Sequence, residues 1–66
     1  MSFNEYKSAV AKELLDYAYT KEEIDKFLSK SNIEKVLREN YAEYSEQGTA
    51  GCEPIATASC LDMMYE

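Results

Sequence analysis

Apolar positions along this chain recur every three to four residues, and nowhere do they alternate as a half-buried strand requires. Phe3, Tyr6, Val10, Leu14 and Tyr17 fall on one narrow stripe at helical spacing. Ser2 precedes the stripe and Glu5 follows three positions later, so hydroxyl and carboxylate can each satisfy a free N–H at a helix start. The pattern predicts a first helix from Phe3 to between Asp16 and Tyr19. Thr20 and Glu23 repeat the arrangement ahead of a second helix, Lys21 to about Ser29, with Ile24, Phe27 and Leu28 on its inner face. Ser31 and Glu34 repeat it once more ahead of a third, Asn32 to about Gln47, with the stripe Ile33, Val36, Leu37, Tyr41 and Tyr44. Gly48 follows as a natural stop, because glycine enters the left-handed region without steric cost.

Thr49 to Glu53 reads as a loop. Pro54 suits the first turn of a helix, where its missing N–H costs nothing. A short fourth helix from Pro54 to about Met64 would put Ala58, Leu61, Met64 and Tyr65 on one side and leave Ile55 off it. The joints at Thr20 and Ser31 are one or two residues long, so consecutive helices must turn sharply. The expected fold is all-α: one small domain over residues 1–66, with a compact three-helix core and a short fourth C-terminal helix closing it. Glu22–Lys26 and Glu34–Arg38 have the spacing and order of favourable helix-surface ion pairs.

With 66 residues, a single core supplies roughly 3–5 kcal/mol, so docking on a partner or on a second copy would add useful stability. Thirteen acids against seven bases give a formal net charge of −6. That balance argues against direct binding to nucleic acid, whose phosphates require Lys and Arg, and against anionic membrane surfaces. It favours a basic protein partner. No apolar run approaches the ~20 residues of a membrane span, and the first residues lack the basic and apolar blocks of a secretory signal. The expected compartment is the cytoplasm, where thiols stay reduced.

Most catalytic chemistry lacks its residues. Histidine is absent, and with it the commonest general base and zinc ligand. Gly48 and Gly51 make no phosphate-binding loop, and no carboxylate series has the spacing of a calcium loop. We expect no enzyme activity, no cofactor and no metal. Cys60 reads as a small buried apolar residue and Cys52 as a loop thiol; a Cys52–Cys60 disulfide or redox pair is the alternative.

Binding has better candidates. Six tyrosines crowd this short chain, and tyrosine serves either a small core with its hydroxyls at the edge or a contact surface. Leu15 and Tyr19 lie off the first helix's core stripe and near one another at i,i+4, so either the fourth helix or a partner covers them. From Glu39 onward there are six acids and no base. Glu39, Glu43 and Glu46 form a row on the outside of the third helix, although like charges at this spacing and acids in a helix's last turns are mildly unfavourable. The row reads as a solvated face or as a docking face for a basic partner. Met63 and Met64 suit the edge of the core or a self-associating surface.

Two resemblances add to this reading. Leu14-Leu15-Asp16-Tyr17-Ala18-Tyr19-Thr20-Lys21-Glu22-Glu23-Ile24 resembles the first turn of ubiquitin-associated-type three-helix modules, with Ala18 where those modules usually carry glycine. It implies a similar three-helix geometry. Tyr41-Ala42-Glu43-Tyr44 and the tail from Pro54 to Tyr65 resemble short proteins carried by bacteriophages and mobile elements. That likeness implies a small accessory protein that binds and modulates a host or phage protein, for instance a nucleic-acid-processing enzyme. The leading expectation is a helical protein–protein interaction module using Glu39, Glu43, Glu46, Leu15 and Tyr19. The alternative is a self-associating scaffold domain, a homodimer burying Leu15, Tyr19 and the Met63–Met64 end.

Overall fold

In the computed structural model, which describes residues 1–65, four helices follow one another: α1 (Phe3–Leu15), α2 (Lys21–Leu28), α3 (Ser31–Gln47) and α4 (Pro54–Asp62). A single 3₁₀ turn, Ala50–Cys52, links the last two. The described residues contain no strand, so the fold is all-α.

Local chemistry sets the helix starts. Ser2 and Thr20 sit in extended backbone, and each hydroxyl accepts from the N–H three positions on, at 3.2 Å from Glu5 and 3.1 Å from Glu23. Each of those glutamates accepts in return from the cap residue's own N–H at 2.8 Å. The third box does not form. Lys30 is the extended residue ahead of α3, and Ser31 is already helical, so its hydroxyl lies one position too far along to cap. The two-residue joint Ser29–Lys30 explains the displacement, since α2 is still closing through Ser29 N–H to the Lys26 carbonyl when α3 must begin.

The joint between α1 and α2 corrects a second expectation. α1 ends at Leu15, and the chain winds through Asp16 and Tyr17 with tight i→i−3 bonds. Ala18 then takes φ +69°, the left-handed conformation that ends many helices. Tyr17, in the closing turn just ahead of this reversal, is 41% exposed and does not join the core.

Ten buried residues make one cluster: Tyr6, Val10 and Leu14 from α1, Ile24, Phe27 and Leu28 from α2, Ile33 and Leu37 from α3, Ala58 and Leu61 from α4. α4 packs against α1 more extensively than any other pair of elements, so the fourth helix is part of the core. Ala58 and Leu61 face inward as the spacing predicts, and Ile55 is exposed. Met64 is also exposed, because α4 ends at Asp62 before it.

Two aromatic groups fasten the ends of this arrangement. At the start of α1, Phe3 and Tyr6 meet Tyr41 of α3 at ring-centroid distances of 5.6 and 5.4 Å, and Tyr6 meets Tyr44 at 5.6 Å. Beyond its end, Tyr65 lies 4.4 Å from Tyr19 and 5.0 Å from Phe27. Such offset and edge contacts contribute about 0.5–1.5 kcal/mol each beyond area burial. The tyrosines therefore largely line the core edge: Tyr65 does so as expected, and Tyr19 does so where Tyr17 was expected.

Candidate functional site

The outside of α3 carries the acidic row. Glu39, Glu43 and Glu46 are exposed at i, i+4 and i+7, a spacing that keeps them on one helix face. Arg38, the last base of the chain, is already engaged: its guanidinium reaches Glu34 at 3.0 Å and lies 4.3 Å over the Phe3 ring. Glu34–Arg38 is the one ion pair among the described residues. The expected Glu22–Lys26 pair does not close, as is common for exposed chains whose ordering entropy offsets the attraction. The acidic row therefore faces solvent without a paired cation.

Glu43 has an additional role. The Cys52 thiol donates to its carboxylate at 3.2 Å. Cys52 is buried and Cys60 exposed, the reverse of the expectation. The 3₁₀ turn packs against α3 and draws Cys52 inward, while Cys60 is exposed on α4, whose buried residues are Thr57, Ala58 and Leu61. The two thiols are free. The carboxylate bonded to the Cys52 thiol, then burial, push that thiol up from its ordinary range, so it stays protonated and a weak nucleophile.

Beside Cys52 lies a buried polar chain whose direction follows from proton counting. Tyr6 Oη donates to the Cys52 carbonyl at 2.5 Å. With its one proton committed, it accepts from Thr57 Oγ1 at 2.7 Å. Thr57 Oγ1 in turn accepts from Asn40 Nδ2 at 3.4 Å. No buried side-chain nitrogen or oxygen among the described residues lacks a partner. The network ties α1, α3, the 3₁₀ turn and α4 together through groups that satisfy one another. Pattern reading missed Thr57 and Asn40, because a polar residue on an inner face signals only once its partner is known.

Leu15 and Tyr19 part company. Tyr19 is covered by the end of α4: its ring packs on Tyr65 and its hydroxyl donates to Asp62. That bond, then burial, push the Tyr19 phenol up to about 12. Leu15 remains 48% exposed and lines an open cleft of about 350 Å³ between α1 and α2, with Ala11, Ile24, Lys12 and Lys21. An adjoining hollow of about 250 Å³ shares Ser8, Ala11 and Asp25 with it and reaches Lys7 and Leu28. The two form one groove along the α1–α2 seam.

Among the described residues, no group of three or more His, Cys, Asp or Glu side chains has the placement to hold a metal ion, and no helix is long and apolar enough to cross a membrane. The chain matches no protein-family model, no curated protein and no solved structure.

Proposed function

We propose that this protein is a small acidic interaction module that acts by occupying a surface of a basic protein, without catalysis of its own. The observation that carries the reading is the outer face of α3. Glu39, Glu43 and Glu46 stand exposed and without a paired cation, in a chain with no base beyond Arg38. Long-range attraction from such a face speeds encounter with a positive surface and disfavours negative ones. A nucleic-acid-processing enzyme, of host or phage, is the partner this chemistry fits best: carboxylates one helical turn apart would occupy Arg and Lys side chains in place of phosphates. The resemblance of the second half to phage and mobile-element proteins supports the same partner class. Two unpaired thiols fit a reducing cytoplasm.

The test is capture from the native host by wild type and by a variant carrying Glu39→Lys, Glu43→Gln and Glu46→Lys. Glutamine at position 43 keeps an acceptor for the Cys52 thiol. The reading requires that the captured protein be basic and be lost with the variant, while the helical circular dichroism is unchanged. Equal capture by both proteins would overturn it.

A second reading, self-association, is favoured by the incomplete cover of Leu15 and by Met63, which is 85% exposed. Light scattering across protein concentration decides it, because a monomer at high concentration excludes that route.

A further inference from the structure

The groove between α1 and α2 has a charge character opposite to that of the molecule. The chain carries a net −6, yet the groove is lined by Lys7, Lys12 and Lys21 against one carboxylate, Asp25. Its floor is apolar at one end, where Ala11 lies beside Leu15, itself 48% exposed, and polar at the other, where Ser8 and Ser29 line it. From Lys7 to Leu15, nine residues of helix run about 12 Å, roughly two helical turns. A trough of that length, apolar from Ala11 to Leu15 and with a basic rim, is suited to recognition of a helix by its apolar face.

We infer that this groove docks an acidic amphipathic helix of a partner protein, with the helix's apolar stripe on Ala11 and Leu15 and its carboxylates against the three lysines. The site is distinct from the α3 face, and the inference does not depend on the function proposed for that face. Charge complementarity selects the occupant. A second copy of this chain is a poorer fit: in its acidic row on α3 the one exposed apolar residue between the glutamates is Ala42, with Tyr41 and Tyr44 turned partly into the core, which gives Leu15 no large exposed apolar partner. The rim lysines set approach and sign preference, whereas Leu15 holds the bound helix.

The test uses two fluorescently labelled amphipathic helical peptides with the same leucine spacing, one flanked by glutamates and one by lysines, titrated with the full chain. Fluorescence anisotropy should show the glutamate peptide binding, with the lysine peptide weaker by about tenfold or more. Lys12→Glu with Lys21→Glu should weaken the glutamate peptide by a similar factor, and Leu15→Ser should weaken both peptides. All three substitutions are at exposed positions, and unchanged circular dichroism confirms that the variants fold. Failure of the glutamate peptide to bind, equal binding of both peptides, or indifference to the lysine reversals would overturn the inference. Sedimentation of the free protein adds a further outcome: a dimer that Leu15→Ser dissolves would assign the groove to a second copy and overturn it as well.

Discussion

Tyr6 and Cys52, 46 positions apart, are joined by a hydrogen bond from the phenol to the main-chain carbonyl at 2.5 Å, and the side chain of Tyr6 is fully buried. This bond holds the 3₁₀ turn against α1 and thereby fixes where α4 begins. Replacing Tyr6 with Phe removes the donor, and the Thr57 hydroxyl, freed from Tyr6, can serve the Cys52 carbonyl only across a longer 3.3 Å. Loss of a buried partner costs about 1–3 kcal/mol. Thermal unfolding should register the loss as about 4–8 °C for each kcal/mol in a domain of this size. A melting temperature equal to wild type would mean that the network is not holding the turn.

Ala18 is the one described non-glycine residue at positive φ. The left-handed region costs a residue with a Cβ roughly 1–2 kcal/mol, partly offset in glycine by greater freedom of its unfolded chain. Ala18→Gly should therefore stabilise the protein by about 0.5–1 kcal/mol. Urea denaturation should show a higher midpoint with the same slope.

The caps separate residues that look alike in the sequence. Ser2→Ala and Thr20→Ala should each cost about 1 kcal/mol, because each removes a hydroxyl that accepts at a helix start. Ser31→Ala should stay within about 0.5 kcal/mol, as at other surface positions, because Ser31 makes no cap. Denaturation of the three variants side by side checks the ordering.

Alkaline pH should unfold the protein. Asp62 holds the Tyr19 phenol up at about 12. Burial raises Tyr6 and Tyr65, with Glu23 adding to the latter, and the Glu43 carboxylate raises the Cys52 thiol. In each case the folded value lies above the unfolded one, so the folded state binds the proton more tightly. That stabilisation is complete below the ordinary values of 9.0 for the thiol and 10.0 for the phenols, and it is lost as pH rises through the folded values. Helical circular dichroism should hold to about pH 9 and fall between about pH 10 and 12, with a shallower fall in Tyr19→Phe. Glu5 and Glu23 act in the opposite sense. Hydrogen bonds from Ser2 and Thr20 lower them below 4.5, so their contribution is present above that pH and fades as acid is added. A helical signal constant to pH 12 would contradict the assignment.

Much of the fold was legible in the sequence because helix starts and core stripes are local. Ser2–Glu5 and Thr20–Glu23 announce their helices, and Val10, Leu14, Phe27 and Leu37 are buried as their spacing requires. What escaped depends on chain direction after a joint. The chain turns away at Ala18, and Tyr17, just before it, is exposed; the shortness of the Ser29–Lys30 joint displaces the α3 cap. Cys52 is buried against expectation because a connecting residue is buried or exposed according to what the connection folds onto, and Cys60 is exposed because the face that α4 buries is the one with Thr57, Ala58 and Leu61. The candidate surfaces divide in the same way. Exposure of Glu39, Glu43 and Glu46 follows from helical periodicity alone. The separation of Leu15 from Tyr19 depends on where the end of α4 lands, which no local pattern specifies.

Binding of a basic partner by the outer face of α3 can be measured on the isolated complex. Calorimetric titration of the captured partner with wild type and with the variant combining Glu39→Lys, Glu43→Gln and Glu46→Lys tests it most directly. The variant should lose affinity by about tenfold or more, and wild-type binding should weaken as salt is raised. Equal affinity of the two proteins, or binding insensitive to salt, would contradict it.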